Sequence, residues 1–524
     1  MATHAAGVVI SDSPLYESIP IRIDYDTGLM VTQWEKTRCE DNGYIKMDLL
    51  GLNTLNVIDS TLKSIESTTG RSMLMEDIPL DDKDTFDMVS RGETTGVFQL
   101  ESSLTPLCRK IQPDSIETIS DINALGRPSC SPKQRMAYVK RRKTGRMPEY
   151  THDLLGKSLG KTYGVSLYEE GMMMIAKDCA GWDYNQADAL RKITKLKGKD
   201  PDLVLKTEAS FISDCMSHSG MTYDQASSIW SEEIEPFGAY GFNKSHSISY
   251  SHISYYTAWL RNNYPTEFMC ALLNSEDPNS DKAQEYLNEC GNMGIKIAPP
   301  DVNDSAGNYI VTSPFVITTG LSAIKGVGDK AVVEIIDNQK YENLACFFAK
   351  TSGRIVNKTV IQSLAKSGAF DQFGITRMDI VENYSKYRAK TNSSVKKGID
   401  PLDITFSLDN NEFTKKELLL GEKEVLGRTI SGSLHDVFSD FFRKNSSFIT
   451  KLSALHSLDK GSKVKIEVII NSKIKEFKIK NGKKVGRKFA KYMIEDIHGS
   501  TSEMTVWADD YDKYKGLFRD GIPV

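Results

Sequence analysis

The sequence predicts a multi-domain α+β protein, with a large helical region between two smaller portions that contain strands. Three observations support this prediction. The 524 residues are more than one ordinary hydrophobic core accommodates. Apolar residues alternate with period two near both ends of the chain. Between about residues 80 and 275, the spacing is mostly helical, and turn residues interrupt it.

The N-terminal portion is predicted to contain strands that lead into a helix. Residues 5–10 and 44–50 read as short strands, and residues 20–34 between them read as a hairpin or a loop. Asn53 or Thr54 is suited to cap the start of the helix. Beyond them, four apolar residues recur at helical spacing, namely Leu55, Ile58, Leu62 and Ile65.

The strand at residues 44–50 contains an unusual carboxylate. Alternation places Lys46 and Asp48 on one face and apolar Ile45, Met47 and Leu49 on the other. An ionised Asp within an apolar run needs a compensating partner. A surface ion pair with Lys46 is one interpretation. The other is that Asp48 belongs to a metal site whose remaining carboxylates are not evident in the sequence.

The rest of the chain is predicted to contain two linkers and a glycine turn. Residues 276–314 and 389–415 are polar and read as linkers. Between them, two short helices flank the Gly-Val-Gly turn at residues 326–328, and a further short helix ends at a glycine cap. From Gly461 onwards, the pattern alternates as strands.

Composition excludes several classes of protein. The net charge of -4 carries no overall nucleic-acid signature. The eight cysteines form no C-x-x-C pair and no cluster with histidine, which indicates a reducing compartment and argues against zinc. The sequence shows no run of membrane-spanning length and no signal peptide at its start, so we predict a cytoplasmic protein.

Local clusters of charge indicate nucleic-acid binding better than the net charge does. Basic clusters occur at residues 140–146, 191–199 and 473–491. Each cluster alone is typical of a solvated face, but together they indicate a positive track for a polyphosphate backbone. Arg191 is suited to bind phosphate in a bidentate manner. The candidate DNA-binding residues in the other two clusters are Lys140, Arg141, Arg142, Lys483, Lys484 and Arg487.

Two further stretches point to phosphate. Gly326 and Gly328 beside Lys325 allow backbone amides to approach a DNA phosphate closely, although an ordinary tight helical hairpin would look the same. In residues 237–260, a capped helix begins with hydroxyl, imidazole and tyrosine side chains, and its lack of an apolar stripe argues against a core helix. Its N-terminus, with Lys244 and His246, is suited to an anionic, stackable ligand such as a nucleotide. A helix capped at a protein interface is the alternative.

At these residues the chain resembles the family C replicative DNA polymerases of bacteria, the alpha subunits of DNA polymerase III. The resemblance is carried, in family order and across nearly the whole chain, by the segments HAAGVVIS, IKMDLLGLNTL, TTGVFQLES, TYGVSLYEE, ADALRK, GAYGFNKSHS, YPTEF, SAIKGVG and SGAFD. Composition and spacing alone indicate only a helical protein that binds nucleic acid.

The resemblance implies site residues and a cofactor. It implies that Asp48 is the third carboxylate of a two-Mg²⁺ site in the palm and that Lys46 contacts phosphate. Two such ions clamp the attacking 3′ oxygen and the leaving pyrophosphate. Arg191 and Lys192 match fingers residues that face the triphosphate. The residues near the nascent base pair, implied to bind nucleotide, are Asn243, Lys244, Ser245 and His246.

The resemblance also implies a domain order. The expected domains are the C-terminal part of the palm (1–52), the fingers (53–275), a helix-hairpin-helix domain of clamp-binding type (276–400), a linker with a helical connection (401–460) and a partial OB-fold domain (461–524). The sequence lacks the family's Pro-Asp-Ile-Asp-x-Asp-Phe motif, which holds the first two catalytic carboxylates. We also expect the metal-dependent PHP domain, the thumb and most of the palm to be absent from this chain. We therefore expect the C-terminal portion of a polymerase.

The implied function is DNA-templated transfer of deoxynucleotides to a primer 3′ end. The expected partners are primer-template DNA, deoxynucleoside triphosphates and a separate N-terminal polypeptide that supplies the missing carboxylates. A sliding clamp is a further expected partner, through the degenerate pentapeptide LDITF at residues 402–406. Glu169 and Gly171 stand where the family usually has glutamines. The alternative is a DNA-binding accessory or degenerate polymerase-like subunit without catalysis.

Overall fold

The computed structural model divides the chain into two compact units, Met1–Asp59 and Ser60–Val524. It describes only the backbone of residues 443–445, 471–475 and 501. It describes all other residues except 1–5, 26, 50, 128–129, 195–199, 236–240, 279, 446–448, 453–454, 456–457, 459–460, 480–484, 497–500 and 520.

The first unit contains two antiparallel strand pairs. Strands β1 and β4 pair with each other, with Gly7 opposite Asp48 and Ile10 opposite Ile45. Strands β2 and β3 form the hairpin that the sequence predicts. The elements of this unit are β1 (Gly7–Ile10), β2 (Ile21–Ile23), β3 (Met30–Thr32), α1 (Lys36–Asp41) and β4 (Ile45–Asp48).

The region after β4 is helical, as its spacing predicts. The helix predicted to begin at Asn53 or Thr54 is α2, which spans Asn53–Thr69. The following helices are α3 (Lys83–Arg91), α4 (Thr105–Ile111), α5 (Ile116–Leu125), α6 (Pro132–Thr144), α7 (Leu154–Leu159), α8 (Glu169–Ala180), α9 (Tyr184–Ile193), α10 (Pro201–Ser219), α11 (Tyr223–Ile229), α12 (Lys244–Asn263) and α13 (Pro265–Asn274).

Aromatic side chains build the core between α8 and α11. The Phe211 ring contacts Trp182 edge-on at 5.9 Å and lies 5.6 Å from Trp230. Apolar residues of α8, α9 and α10 complete this buried cluster. Burial of such large apolar side chains is the main stabilising contribution for this region.

The first predicted linker contains regular structure. Helix α14 (Asp281–Asn292) is followed by a small sheet of β5 (Lys296–Ala298), β6 (Ile310–Ser313) and β7 (Val316–Thr318). Strand β7 lies in the middle, parallel to β5 and antiparallel to β6. The helices that follow are α15 (Asp329–Asp337), α16 (Leu344–Lys350), α17 (Lys358–Ser367) and α18 (Arg377–Lys396).

The glycine turn adjoins these helices. Before it, the predicted helix is only a 3₁₀ turn, Leu321–Ala323. After it, α15 begins at Asp329, and Val327 is buried in the surrounding core. The glycine cap predicted for the later short helix is confirmed, because Gly368 ends α17 in the left-handed conformation.

The second predicted linker is also packed against the fold. Helix α18 continues through its first residues to Lys396. Beyond the helix, Lys390 Nζ donates to the carbonyl of Thr405 at 2.6 Å, and Tyr387 Oη donates to that of Ser407 at 3.1 Å. These contacts hold the polar stretch along α18.

The C-terminal strands agree with the alternating pattern. Helices α19 (Lys415–Leu426), α20 (Leu434–Val437) and α21 (Ser439–Asn445) precede an antiparallel sheet in the order β10-β9-β8. Its elements are β8 (Val468–Lys478), β9 (Lys488–Asp496) and β10 (Thr501–Val506), followed by α22 (Ala508–Tyr514). The end of the chain returns to β8, where Val524 exchanges backbone hydrogen bonds with Val468. An OB fold for this region stays a prediction.

The α+β, multi-domain prediction is confirmed by these helices and small sheets. All eight cysteines are buried thiols. Among the described residues, none of the helices combines the length and the apolar character that a membrane crossing requires.

Candidate functional site

The predicted faces of β4 are confirmed. Lys46 Nζ contacts a carboxylate oxygen of Asp48, so both side chains lie on one face of the β1–β4 pair. On the other face, Ile45, Met47 and Leu49 are 65%, 47% and 67% exposed. The Lys46 side chain is mostly covered, whereas half of the Asp48 side chain faces solvent. The carboxylate is therefore oriented by its neighbour and accessible to a ligand.

Asp48 does not complete a metal site in the described part of the chain. There, no three His, Cys, Asp or Glu side chains are grouped to hold a metal ion. Asp48 is chemically suited to Mg²⁺, which takes oxygen ligands and usually only one or two protein carboxylates. These residues thus fit a single ligand of such a site, not a whole two-metal centre.

In the second unit, Glu170 closes the N-terminus of α12. Its carboxylate accepts hydrogen bonds from the backbone N of Lys244 at 3.0 Å and from Asn243 Nδ2 at 3.3 Å. Asn243 caps the helix, since its side-chain oxygen accepts the backbone N–H of His246 at 2.8 Å. The helix end that the sequence predicts for an anionic ligand therefore holds a carboxylate of the chain itself.

Arg191 is also bound by carboxylates. Its guanidinium lies 3.0 Å from Glu169 Oε2 and 2.8 Å from Asp188 Oδ1. Lys192 Nζ pairs with the same Asp188 at 2.8 Å. The remainder of this basic cluster, residues 195–199, lies outside the described residues. A phosphate contact at Arg191 would have to replace these carboxylates, and the role of both side chains stays a prediction.

The other predicted residues of α12 are exposed. Lys244 Nζ lies 5.6 Å from the centre of the Tyr168 ring, which is typical of a cation–π contact. The His246 ring lies 5.7 Å from Phe242 and 4.2 Å from Tyr250. Ser245 is exposed beside them. Cationic and aromatic groups are thus collected at this helix end.

Helix α12 is nevertheless buried along much of its length, so the sequence interpretation against a core helix is wrong. Its buried stripe consists of small hydroxyl residues, among them Ser247, Ser251 and Ser254. Ser247 Oγ donates to the Ser120 carbonyl at 3.1 Å, and Asn123 Nδ2 donates to Ser251 Oγ at 3.1 Å. Intramolecular hydrogen bonds make this polar stripe compatible with burial.

A buried carboxylate lies behind Lys244. Asp121 accepts hydrogen bonds from Tyr138 Oη at 2.6 Å and from Tyr168 Oη at 2.7 Å. Burial raises the pKa of Asp121 to about 6, although the two tyrosines, Lys244 and Arg142 favour its charged form. These five side chains line a half-open cleft of about 610 Å³.

Two cations of the first basic cluster are structural. Arg141 Nη1 donates to the carbonyls of Tyr163 and Gly164 at 2.9 and 3.0 Å. Arg142 pairs with Asp114 at 2.8 Å and donates to the carbonyls of Ile111 and Gln112. Both arginines are therefore bound within the chain, and their contact with DNA stays a prediction. Lys140 is exposed.

The glycine turn presents its groups to solvent. Lys325 is exposed, and its backbone N–H is bound to the Val425 carbonyl at 2.8 Å. Gly326 has a φ of 93°, and a Cβ there would lie 2.7 Å from Ser363 Oγ. Gly328 precedes α15, and a Cβ there would meet no atom within 4 Å. The turn thus needs Gly326 for its conformation and leaves the approach to Gly328 open.

The third basic cluster is described only in part. Lys483 and Lys484 lie outside the described residues. Arg487 is bound by Asp509 at 2.5 Å and by Asp512 at 2.7 Å. Its charge is therefore paired locally, and its contact with DNA stays a prediction.

The sequence interpretation missed the residues that organise the α12 end, namely Asp121, Tyr138, Tyr168 and Glu170. A polar residue inside the apolar helix that contains Ile119 and Ile122 was a usable signal for Asp121. No local pattern connects Glu170 with α12, because this contact joins residues distant in the sequence.

Three family models match the chain. Residues 1–51 match the Bacterial DNA polymerase III alpha NTPase domain, and residues 54–219 match the Bacterial DNA polymerase III alpha subunit finger domain. Residues 294–380, which include the glycine turn, match the Helix-hairpin-helix motif.

Curated relatives cover nearly the whole chain. Similar proteins named DNA polymerase III subunit alpha include those of Borreliella burgdorferi and Bacillus subtilis, each 34% identical over 99% of this chain and 46% of its own length. The protein of that name from Aquifex aeolicus is 33% identical over 99% of this chain and 43% of its own length. The chain thus spans less than half the length of these relatives.

Proposed function

Because the chain belongs to the family of bacterial DNA polymerase III alpha subunits, we propose that it takes part in DNA-templated transfer of deoxynucleotides to a primer 3′ end. The proposal includes a separate N-terminal polypeptide, which supplies the other catalytic carboxylates. The observation that carries it is Asp48, an accessible carboxylate oriented by Lys46 on a strand within the match to the alpha subunit.

In the proposed reaction, the primer 3′ oxygen attacks the α-phosphorus of a deoxynucleoside triphosphate, and pyrophosphate leaves. Asp48 contributes one carboxylate to a site shared with the N-terminal polypeptide. Mg²⁺, when bound, supplies charge stabilisation at the attacking and leaving oxygens. Lys46 holds the Asp48 carboxylate in position. Within the second unit, Arg191, Lys192 and Lys244 are suited to supply countercharge to a bound triphosphate.

The β1–β4 pair supports a partner that adds to this sheet. Among the described residues, these strands pair only with each other. Apolar Val8 and Ile10 on β1 and Ile45 and Met47 on β4 are 46% to 65% exposed. A two-stranded sheet with exposed apolar side chains favours strand addition by another polypeptide. We assign that role to the N-terminal polypeptide.

Primer extension tests the proposal. The chain and a polypeptide with the Pro-Asp-Ile-Asp-x-Asp-Phe motif are assayed separately and together. We expect activity only for the combination, and Asp48→Asn should lower it by at least about 10³-fold while assembly persists, because the amide loses the charge that binds Mg²⁺. Asp41→Asn, an exposed substitution in the same unit, is the matched control. Hydrogen exchange at residues 45–48 should slow on assembly.

Two results would contradict this function. One is primer extension by the highly purified chain alone that Asp48→Ala abolishes. The other is full activity of the complex with Asp48→Asn. Unchanged hydrogen exchange at residues 45–48 in an active complex would contradict strand addition alone.

The alternative function, a DNA-binding subunit without catalysis, is favoured by one observation. Lys325 and Gly328 are accessible in a turn matched by the helix-hairpin-helix model, whereas Arg191 is bound by carboxylates. DNA binding that falls steeply with salt, with no primer extension in any combination, would favour this alternative.

A sliding clamp is not among the partners that we propose. In the pentapeptide at residues 402–406, Ile404 is buried, and the Phe406 ring stacks on Tyr387 at 4.4 Å. Binding of a clamp to this segment would require both side chains to leave the core.

A further inference from the structure

Two adjacent carboxylates of α8 bind the groups assigned to the nucleotide. Glu169 accepts from Arg191 Nη1 at 3.0 Å. Glu170 accepts from the backbone N of Lys244 at 3.0 Å and from Asn243 Nδ2 at 3.3 Å. In nucleotide-binding sites, phosphate oxygens accept hydrogen bonds from donors of these kinds. The two glutamates thus satisfy the same donors from within the chain.

The two contacts differ from ordinary surface ion pairs. The Glu169 side chain is only 9% exposed, so its attraction to Arg191 is weakly screened by solvent. Arg191 also pairs with Asp188 within one helix turn, where both side chains are partly exposed and the attraction is more strongly screened by solvent. Glu170 acts at the N-terminus of the 20-residue helix α12, where backbone donors and the helix dipole attract an anion.

The backbone also joins the start of α8 to the segment that leads into α12. The Glu169 N–H donates to the carbonyl of Phe242 at 3.0 Å. Tyr168 and Phe242 form an isolated parallel bridge at the same point. The Glu170 carboxylate is therefore held at a high effective concentration beside Asn243 and Lys244, and a ligand must displace it to bind there.

We propose that Glu169 and Glu170 act as internal competitors that lower the affinity of the site for polyphosphate. This inference rests on the proposed nucleotide site. A ligand binds to Arg191 and to the α12 N-terminus only after it has displaced these carboxylates, so breaking the internal contacts reduces its binding free energy. Because every ligand that displaces both carboxylates pays the same cost, the competition weakens the binding of triphosphate and of pyrophosphate alike.

Calorimetric titration of the full chain tests this inference. The probes are a deoxynucleoside triphosphate, inorganic triphosphate and pyrophosphate. The proteins are the wild type, Glu169→Gln, Glu170→Gln and the control Glu149→Gln, which removes the same charge from an exposed position. Glutamine retains the shape and a hydrogen-bond acceptor but not the charge, so any change reports on electrostatic competition.

We expect all three probes to bind about tenfold more tightly to Glu169→Gln and a few-fold more tightly to Glu170→Gln. The ratio of triphosphate to pyrophosphate affinity should change little, and Glu149→Gln should retain the wild-type affinities. A thermal midpoint measured for each protein verifies folding. Glu170 is half-exposed, so its substitution keeps the test decisive if Glu169→Gln destabilises the buried position.

Two outcomes overturn the inference and are distinguishable. Nucleotide binding with the same affinity in the wild type and both glutamine variants contradicts the competition and leaves the nucleotide site intact. Absence of deoxynucleoside triphosphate binding in all four proteins contradicts the competition and the proposed nucleotide site together.

Discussion

The basic residues near α6 and α9 differ sharply from those of the glycine turn. Arg142 and Arg191 are bound by carbonyls or carboxylates of the chain. In the turn, Lys325 and Lys330 are exposed, and neither side chain has an ion-pair or hydrogen-bond partner in the described part of the chain. A basic cluster in a sequence therefore predicts positive charge, but the contacts of the folded chain determine whether a ligand can reach that charge.

The chemistry of the two side chains explains the difference. A guanidinium presents five donors in a rigid plane, so it bridges several acceptors at once, as Arg141 does between Tyr163 and Gly164. Arg487 likewise joins Asp509 and Asp512. A lysine ammonium is strongly hydrated and usually remains in water. We therefore predict that the exposed lysines and backbone amides, and not these arginines, make the contacts to DNA.

The largest effect is expected at Arg377, a buried arginine at the start of α18. Arg377 pairs with Glu422 at 2.8 Å and with Asp371 at 2.7 Å, and the Glu422 side chain is only 1% exposed. Arg377→Ala would leave a buried carboxylate without its cation, and we expect a loss of about 3–5 kcal/mol in the free energy of unfolding. Urea denaturation measures this loss.

The matched control for Arg377→Ala is Lys325→Ala in the exposed turn. We expect it to change the free energy of unfolding by less than about 0.5 kcal/mol. Equal destabilisation by the two substitutions would contradict the distinction between cations that the chain binds internally and cations that remain exposed to solvent.

The second prediction concerns how protonation of Asp121 makes the free energy of unfolding depend on pH. Burial raises the pKa of Asp121 from its ordinary value of 3.8 to about 6, with Tyr138, Tyr168, Lys244 and Arg142 facing it. The folded state therefore holds this proton more tightly than the unfolded state. The resulting stabilisation is fully present below pH 3.8 and is lost as the pH rises through about 6. Its full size is on the order of 3 kcal/mol.

Denaturation of the wild type and Asp121→Asn between pH 4 and 7 measures this contribution. The other carboxylates titrate in both proteins, so the difference between the two curves isolates Asp121. The wild type should lose stability relative to the variant as the pH rises. A constant difference across the range would be inconsistent with protonation of Asp121.

The sequence predicted well what depends on neighbours along the chain. The alternation at residues 44–50 correctly placed Lys46 and Asp48 together, because strand geometry fixes which side chains share a face. The cap at Gly368 followed from local turn chemistry in the same way. The family resemblance correctly identified the alpha subunits of DNA polymerase III.

The sequence could not predict which charges neutralise one another. The contacts of Glu170 with α12 and of Asp121 with Tyr168 join separate helices, so they depend on packing that no local pattern encodes. The buried serine stripe of α12 misled the interpretation for the same reason, because Ser247 and Ser251 make hydrogen bonds with residues of α5.

The third prediction separates conformation from binding within the turn. Gly326 has a φ of 93°, and a Cβ would approach Ser363 Oγ to 2.7 Å. Gly326→Ala is therefore expected to cost about 1–2 kcal/mol in the free energy of unfolding, through backbone strain and this contact. Thermal denaturation measures the loss, and an unchanged midpoint would contradict the requirement for glycine at this position.

The smallest effect is expected at the neighbouring Gly328, where stability and binding should separate. An alanine there has ordinary dihedral angles and open space, so we expect a change in stability within about 0.5 kcal/mol. Its Cβ would stand between a DNA phosphate and the amides at the start of α15, so DNA affinity should fall a few-fold.

Because Gly328→Ala removes no cation, the dependence of DNA affinity on salt should keep its slope, whereas Lys325→Ala should reduce that slope by about 1. Fluorescence anisotropy with labelled DNA at several salt concentrations measures both quantities, and unchanged DNA affinity in Gly328→Ala would mean that the amides of this turn do not contact the backbone of DNA.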